Sequence, residues 1–141
     1  MKREAEVISG VPTPEDYLAL RALGGLSPFS MRAAQEGLGG TLFGVLLVDR
    51  GETVGMGRLI GDGGCFFQIV DIVVHPTYQG HGYGKRIVGE LMSWLNENAP
   101  AGAYVSLIAD RPADQLYAQF GFRETAPVSV GMATRVVGSG A

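Results

Sequence analysis

A chain of 141 residues, 46% apolar and 18% charged, has the size and composition of one globular domain with a full core. A net charge of −3 argues against general nucleic-acid binding, and a single cysteine rules out an internal disulfide framework and fits a reducing cytoplasm. No 18-residue apolar run and no basic-then-apolar leader appear, so a cytoplasmic protein with no membrane partner is expected.

In chain order, residues 4–9 read as a short first strand. Thr13-Pro14-Glu15-Asp16 is a helix start, with Thr13 as N-cap, Pro14 at the first helical position and Asp16 completing a capping-box-like pair. That helix carries Tyr17, Leu18, Leu20, Arg21 and Leu23, and Gly24-Gly25 stops it. A second short helix covers 30–36 and ends at Gly37. Residues 41–49 and 53–60 are β-branched and apolar and form a hairpin through Arg50-Gly51-Glu52. Asp62-Gly63-Gly64 turns the chain into a strand over 66–74. A long helix is expected over 82–98, a strand over 104–109, a short helix over 113–119 and a last strand over 128–137. The tail from 138 to 141 is frayed in this reading. Helices alternating with a largely antiparallel strand set, broken by a few parallel pairs, give an α+β domain with a mixed central sheet.

The most informative stretch is DIVVHPTYQGHGYGKRI, residues 71–87. An apolar strand ends at His75-Pro76, a glycine-rich turn follows, and a helix begins at once. Gln79, Gly82 and Gly84 stand at Q-x-x-G-x-G spacing. Glycines let the backbone take positive φ and come close to a ligand, leaving several amide N–H groups to point inward at the positive end of a helix. With Lys85 and Arg86 in the same turn, this is a cradle for a phosphate or pyrophosphate. It is not a Walker loop, because Gly80 to Gly84 is one residue short and Arg86 replaces the magnesium-holding Ser/Thr. Nor is it a dinucleotide fingerprint, because the glycines run 80, 82, 84 and no acid stands about 20 residues beyond, where Tyr104 lies.

The [RQ]-x-x-G-x-[GA] pattern after an apolar strand resembles the acyl-CoA pyrophosphate loop of the GNAT superfamily of N-acetyltransferases. A second match lies downstream: LYAQFGF, residues 116–122, is similar to the family's Y-x-x-x-G-F signature, here Tyr117, Gly121 and Phe122. The two motifs stand in the family's order, separated by the helix and strand it requires. The resemblance covers residues 7–137, that of a small single-domain bacterial-type member. It implies a GNAT fold over 1–141, a mixed, mostly antiparallel sheet flanked by about four helices.

The resemblance also implies chemistry. Acetyl-CoA would be the co-substrate, with no metal, and the backbone of Ile72, Val73 and Val74 would hold the pantetheine arm like an added strand. The Val73 N–H is then a candidate donor to the thioester oxygen. Gln79, Gly80, His81, Gly82, Tyr83, Gly84 and Lys85 would form the pyrophosphate cradle. Tyr117 is the candidate general acid, since a phenol of reference pKa about 10 is protonated at neutral pH and can donate to a departing thiolate.

Histone-type members carry a Glu eleven residues before the loop's first Gln/Arg. Here that place is Gln68, an amide that cannot accept the proton. Asp71 is the acid left on the strand, either a catalytic base or a structural partner of Arg58 or a turn; His75 is a further candidate base, or it caps the strand or meets solvent. The first helices and residues 23–29 would overhang the acceptor. Tyr17, Phe29, Phe43, Phe66 and Phe67 are candidates to line that pocket, and Arg58 or Asp62 to meet a charged group. Cys65 is expected to be buried or half-buried, Trp94 and Leu91 to pack in the core, and Arg111 to face solvent or the adenine end of the cofactor.

The function expected is transfer of an acetyl group from acetyl-CoA to the primary amine of a small molecule, by direct attack in a ternary complex. The rivals are a non-catalytic acyl-CoA sensor or partner domain and a nucleotide-binding protein using the loop for ATP or NAD. An exposed last strand would allow a homodimer.

Overall fold

The computed structural model describes residues 4–138 and divides into two compact units, Met1–Leu107 and Ile108–Ala141. The first unit contains β1 (Glu6–Ser9), α1 (Pro14–Leu23), α2 (Met31–Leu38), β2 (Phe43–Asp49), β3 (Glu52–Gly61), β4 (Phe66–Val74), a 3-10 turn (Pro76–Tyr78), α3 (Tyr83–Asn98) and β5 (Tyr104–Ser106). Its five strands lie in the order β1-β2-β3-β4-β5, antiparallel except for the parallel pair β4–β5. This is the mixed, mostly antiparallel α+β sheet that the sequence implies.

Local chemistry explains the elements. Thr13 caps α1 by accepting the Asp16 N–H at 3.1 Å, and Ser30 caps α2 by accepting the Ala33 N–H at 3.0 Å. The β2–β3 hairpin turns on two residues, Arg50 and Gly51, at φ 53 and 78. Two consecutive left-handed residues match the twist of the flanking strands, so Glu52 joins β3 rather than the loop. The second helix runs past Gly37 to Leu38, because the buried Leu38 side chain rewards one more helical residue beyond the glycine.

The sheet buries both faces. Tyr17, Leu20, Ala34 and Leu38 from α1 and α2 pack on Met56 and Val73. On the other face α3 contributes Ile87, Val88 and Leu91, each fully buried. Gly57 permits this approach: a Cβ there would stand 2.6 Å from Ile87 and 2.7 Å from Ile72. Trp94 is half-buried, stacked on Phe43 with ring centroids 5.4 Å apart.

Three expectations are corrected. The strand expected over 104–109 is three residues long. Cys65 is exposed, since it follows the tip of the β3–β4 turn rather than lying beneath it. Residues 128–137 form no strand, and Val128, Val136 and Val137 are 97%, 97% and 98% exposed. β-branched composition makes a segment compatible with a sheet, but a strand exists only with a neighbour to receive its backbone bonds, and no described residue pairs with this one. The second unit instead carries α4 (Asp114–Ala118), with Ala113 and Gln119 as its caps. Residues 139–141, expected to fray, lie outside the described residues. Among the described residues no helix is long and apolar enough to cross a membrane.

The tightest approach in the sheet is testable. A Cβ on Gly44 would lie 2.3 Å from the Gly10 carbonyl oxygen, against backbone that cannot rotate away. Gly44→Ala should therefore lower unfolding stability by about 1–3 kcal/mol, read as a lower urea midpoint. An unchanged midpoint would show that the chain entering α1 is not held against β2.

Candidate acyl-CoA site

β5 pairs with β4 only at Phe66, Phe67 and Gln68. Beyond Gln68 that edge of β4 has no strand partner within the first unit's described residues. The His75 N–H donates to the Val54 carbonyl at 2.8 Å, which fixes the alternation. Val73, two residues earlier, also turns its N–H and C=O toward β3, so Ile72 and Val74 turn theirs to the open edge. The expectation that the Val73 N–H faces the thioester is thus corrected: Val73 sends its side chain into the core and its amide into the ladder. The Val74 carbonyl is taken by Gln79, whose Nε2 donates at 3.0 Å.

The β3–β4 register shifts between Met56 and Arg58, and Asp71 sits in this bulge at φ 62. Burial still alternates along β4, so Asp71 points inward with Phe67, Ile69 and Val73. Its Oδ1 receives Arg21 Nη1; its Oδ2 receives the Tyr17 hydroxyl at 2.9 Å and Arg58 Nε at 2.9 Å. Arg21 also donates to the Ser27 carbonyl from Nε and Nη2, at 3.1 and 2.7 Å. Arg58 Nη1 donates to Thr41 Oγ1 at 2.7 Å and to the Gly37 carbonyl at 3.3 Å. Burial, then the Asp71 charge, pushes the Tyr17 phenol above the usual tyrosine value.

Arg58 as a partner of Asp71 was legible in the sequence; Tyr17 and Arg21 were missed as partners. Their signal was present, for they stand four residues apart on one face of α1.

The loop after β4 is anchored at its ends and open at its centre. His75 Nδ1 accepts the Thr77 N–H at 3.1 Å, so His75 caps the 3-10 turn. Tyr78 is buried and its hydroxyl donates to Asp49. Gly80 and Gly82 have φ of 82 and 81, and a Cβ on either would meet nothing within 4 Å. Arg86 N–H to Gly82 C=O, at 3.1 Å, is the first helical bond, so the amides of Gly84 and Lys85 have no acceptor inside α3. They converge at the positive end of a 16-residue helix, with Lys85 and Arg86 exposed beside them. The Tyr83 side chain is structural: it is buried, and its hydroxyl accepts the Ala5 N–H at 3.0 Å. His81 lies exposed on the loop.

The other candidates have separate places. Phe67 is core, Phe43 stacks on Trp94, and Phe66 is exposed edge-on to Tyr104. Asp62 is bound to its own turn: Oδ1 accepts from the N–H groups of Gly64, Cys65 and Phe66, led by Gly64, which holds its carboxyl below the usual range. In the second unit, Gly121 at φ 90 ends the short helix and lets Phe122 fold back edge-on to Tyr117, with centroids 6.2 Å apart. Burial, then the Asp110 charge, pushes the Tyr117 phenol up. Arg111 pairs with Asp114 and Glu124 on the surface.

A strand with one open edge running into a glycine loop and a helix N-terminus makes a cradle for an extended ligand that carries an anion. The Acetyltransferase (GNAT) domain model matches residues 40–124, more than half of the chain, and the protein belongs to this family of N-acetyltransferases. Among solved structures it is similar to a probable acetyltransferase of unknown function from meticillin-resistant Staphylococcus aureus, at 48% identity and TM-score 0.90, covering 94% of this chain and 100% of the other. A GNAT protein of Streptococcus pneumoniae shares the fold at 22% identity and TM-score 0.74, covering 95% and 98%. So does an Escherichia coli GNAT N-acetyltransferase solved with CoA, at 22% identity and TM-score 0.64, covering 89% and 72%. A ribosomal protein bS18-alanine N-acetyltransferase of Haemophilus influenzae is 27% identical over 101 residues, 70% of this chain and 67% of its own.

Asp71→Asn leaves two buried guanidiniums without a counter-charge, and should cost about 3–5 kcal/mol in a urea titration. A loss well under 1 kcal/mol would mean that water already solvates the cluster.

Proposed function

We propose that the protein binds acetyl-CoA along the open edge of β4 and transfers the acetyl group to the primary amine of a small molecule, by direct attack in a ternary complex. One observation carries the reading: the edge exposing Ile72 and Val74 leads directly into the Gly80–Gly82 loop and the amides opening α3. Backbone at Ile72 and Val74 would hold the pantetheine amides and polarise the thioester carbonyl. The amides at 82–85, with Lys85, would take the pyrophosphate. Gln79 and His81 shape the loop around it. The transfer would form an amide bond as the carbon–sulfur bond breaks; the attacking nitrogen gives up a proton to water, and the leaving thiolate takes one from Tyr117, which recovers it from water.

Asp71 acts in this reading as a positioning residue rather than the base. Both of its oxygens already receive charged or phenolic donors, and the carboxylate is buried. The acceptor is then bound as the free amine or loses its proton to water. A cytoplasmic location suits a user of acetyl-CoA. The exposed apolar residues of 128–137 support a homodimer, in which a second copy would supply the missing strand neighbour.

A second reading takes its support from the Haemophilus influenzae relative, whose acceptor is an alanine of a ribosomal protein. The same chemistry would then act on a peptide's terminal amine. Both are tested by following thiol release from acetyl-CoA with arylalkylamines, polyamines, aminosugars, amino acids and an alanine-initiated peptide. Amine-dependent release supports transfer and sorts the acceptors. A raised melting temperature with acetyl-CoA but no release by any acceptor favours a sensor, and neither effect removes the proposal.

Tyr117→Phe should lower kcat about 100-fold or more with an unchanged KM for acetyl-CoA, since a general acid is worth roughly 10²–10⁴. Because burial and Asp110 raise this phenol, its acid form holds across neutral pH and is lost only as pH rises through a value above about 10. The kcat profile should show no alkaline fall from this group between pH 7 and 9. A Tyr117→Phe enzyme with full turnover would dismiss the acid role.

A further inference from the structure

The Asp71 cluster is over-supplied with positive charge. Arg21 and Arg58 bring two guanidiniums to one carboxylate, with side chains 9%, 9% and 3% exposed, and the phenol of Tyr17 is neutral. The cluster therefore carries a surplus of one positive charge in a dry setting, where an unpaired ion is costly. Arg58 also has donors to spare. Its Nε and Nη1 are bonded, to Asp71, Thr41 and Gly37, while Nη2 reaches no protein acceptor. No sealed side-chain nitrogen or oxygen among the described residues lacks a partner, so Nη2 has an opening. Arg58 also lines a pocket of about 150 Å³, walled by Tyr17, Phe29, Ala33, Gly37 and Leu38, which offers such an opening.

We infer that this pocket binds a carboxylate on Arg58 and that, on the acetyl-transfer reading above, the acceptor is an amine bearing that carboxylate. A carboxylate is the matching charge: one negative unit cancels the surplus, whereas a phosphate monoester at pH 7 carries about −1.5 to −2. The size agrees, since the void holds a carboxylate and a few carbons against the rings of Tyr17 and Phe29, and the rest of the molecule must project outward. Register sets the direction of reach. Arg58 pairs with Val70, two residues from Ile72 on the open edge. One strand spacing and two residue rises put the two backbone positions on the order of 8 Å apart. The amine therefore sits several bonds from the carboxylate, as in an ω-amino acid, rather than on the adjacent carbon.

Two measurements test this. In the first, sodium propionate is titrated into the protein without acetyl-CoA at constant ionic strength and followed by amide chemical shifts. Saturable binding is expected, weakened at least tenfold in Arg58→Gln and in Gly37→Leu. The second variant is the control for folding, because Gly37 lines the pocket and a Cβ there meets nothing within 4 Å, so a larger side chain is admitted at the pocket wall without a clash. Equal binding in a folded Gly37→Leu, no saturable binding, or inorganic phosphate binding tenfold tighter than propionate would each overturn the carboxylate pocket.

In the second measurement, kcat/KM for 6-aminohexanoate should exceed that for hexylamine at least tenfold, and the excess should vanish in Gly37→Leu. Equal acetylation of both amines would overturn the acceptor's carboxylate while leaving acetyl transfer intact. Propionate binding with no acetylation of either would uphold the pocket and count against the transferase reading instead.

Discussion

One buried carboxylate organises the α1–α2 face of the first unit. Asp71 receives a hydroxyl and a guanidinium from α1 and a second guanidinium from β3, while belonging to β4 itself. Through Arg21 it reaches the loop after α1 at Ser27, and through Arg58 it reaches the end of α2 at Gly37. Five separate segments are thus indexed to two oxygens. Apolar packing of Tyr17, Leu20, Ala34 and Leu38 on Met56 and Val73 supplies cohesion but is tolerant of sliding. The charge cluster is not tolerant, because any displacement leaves a buried ion unpaired.

The same residue marks where β4 changes its role. The bulge at Asp71, with φ in the left-handed region, steps the β3–β4 register by one residue. After the step, Ile72 and Val74 present their backbone polar groups to the open edge, while Val73 locks the strand to β3. In water an unpaired edge invites association. Here it is short and ends in the glycine loop, so an extended, amide-bearing arm of limited length fits it better than another strand. In the proposed reading fold and ligand chemistry meet on the backbone, so plain aliphatic side chains would suffice at 72–74.

This division explains what the sequence disclosed. The span of β4, Phe66–Val74, was readable to the residue from its apolar run between Gly64 and Pro76, and α3 from Gly82 onward, because both follow local rules. The glycine loop was readable because its conformational demand excludes most other residues. Other features depend on partners distant in the chain. Asp71 and Arg58 stand thirteen residues apart across a hairpin and could be paired on paper, but Tyr17 and Arg21 approach Asp71 from 54 and 50 residues away. Residues 128–137 misled for the complementary reason, since β propensity describes what a segment accepts and not whether a neighbour is there.

The second arginine is the part that fold stability alone explains least. Either guanidinium would neutralise Asp71, and each ties down a different backbone carbonyl, at Ser27 after α1 and at Gly37 near the end of α2, by hydrogen bonds that a neutral donor could equally make. Removing a second full charge from water costs several kcal/mol, and one carboxylate cannot repay that cost twice. A sequence shaped for the fold alone would replace one arginine with an apolar or amide side chain of similar length. Retaining both gives an interior with a surplus positive charge at a pocket that opens beside Arg58, and a bound anion completes it. The core of the α1–α2 face is then finished by a ligand rather than by the chain.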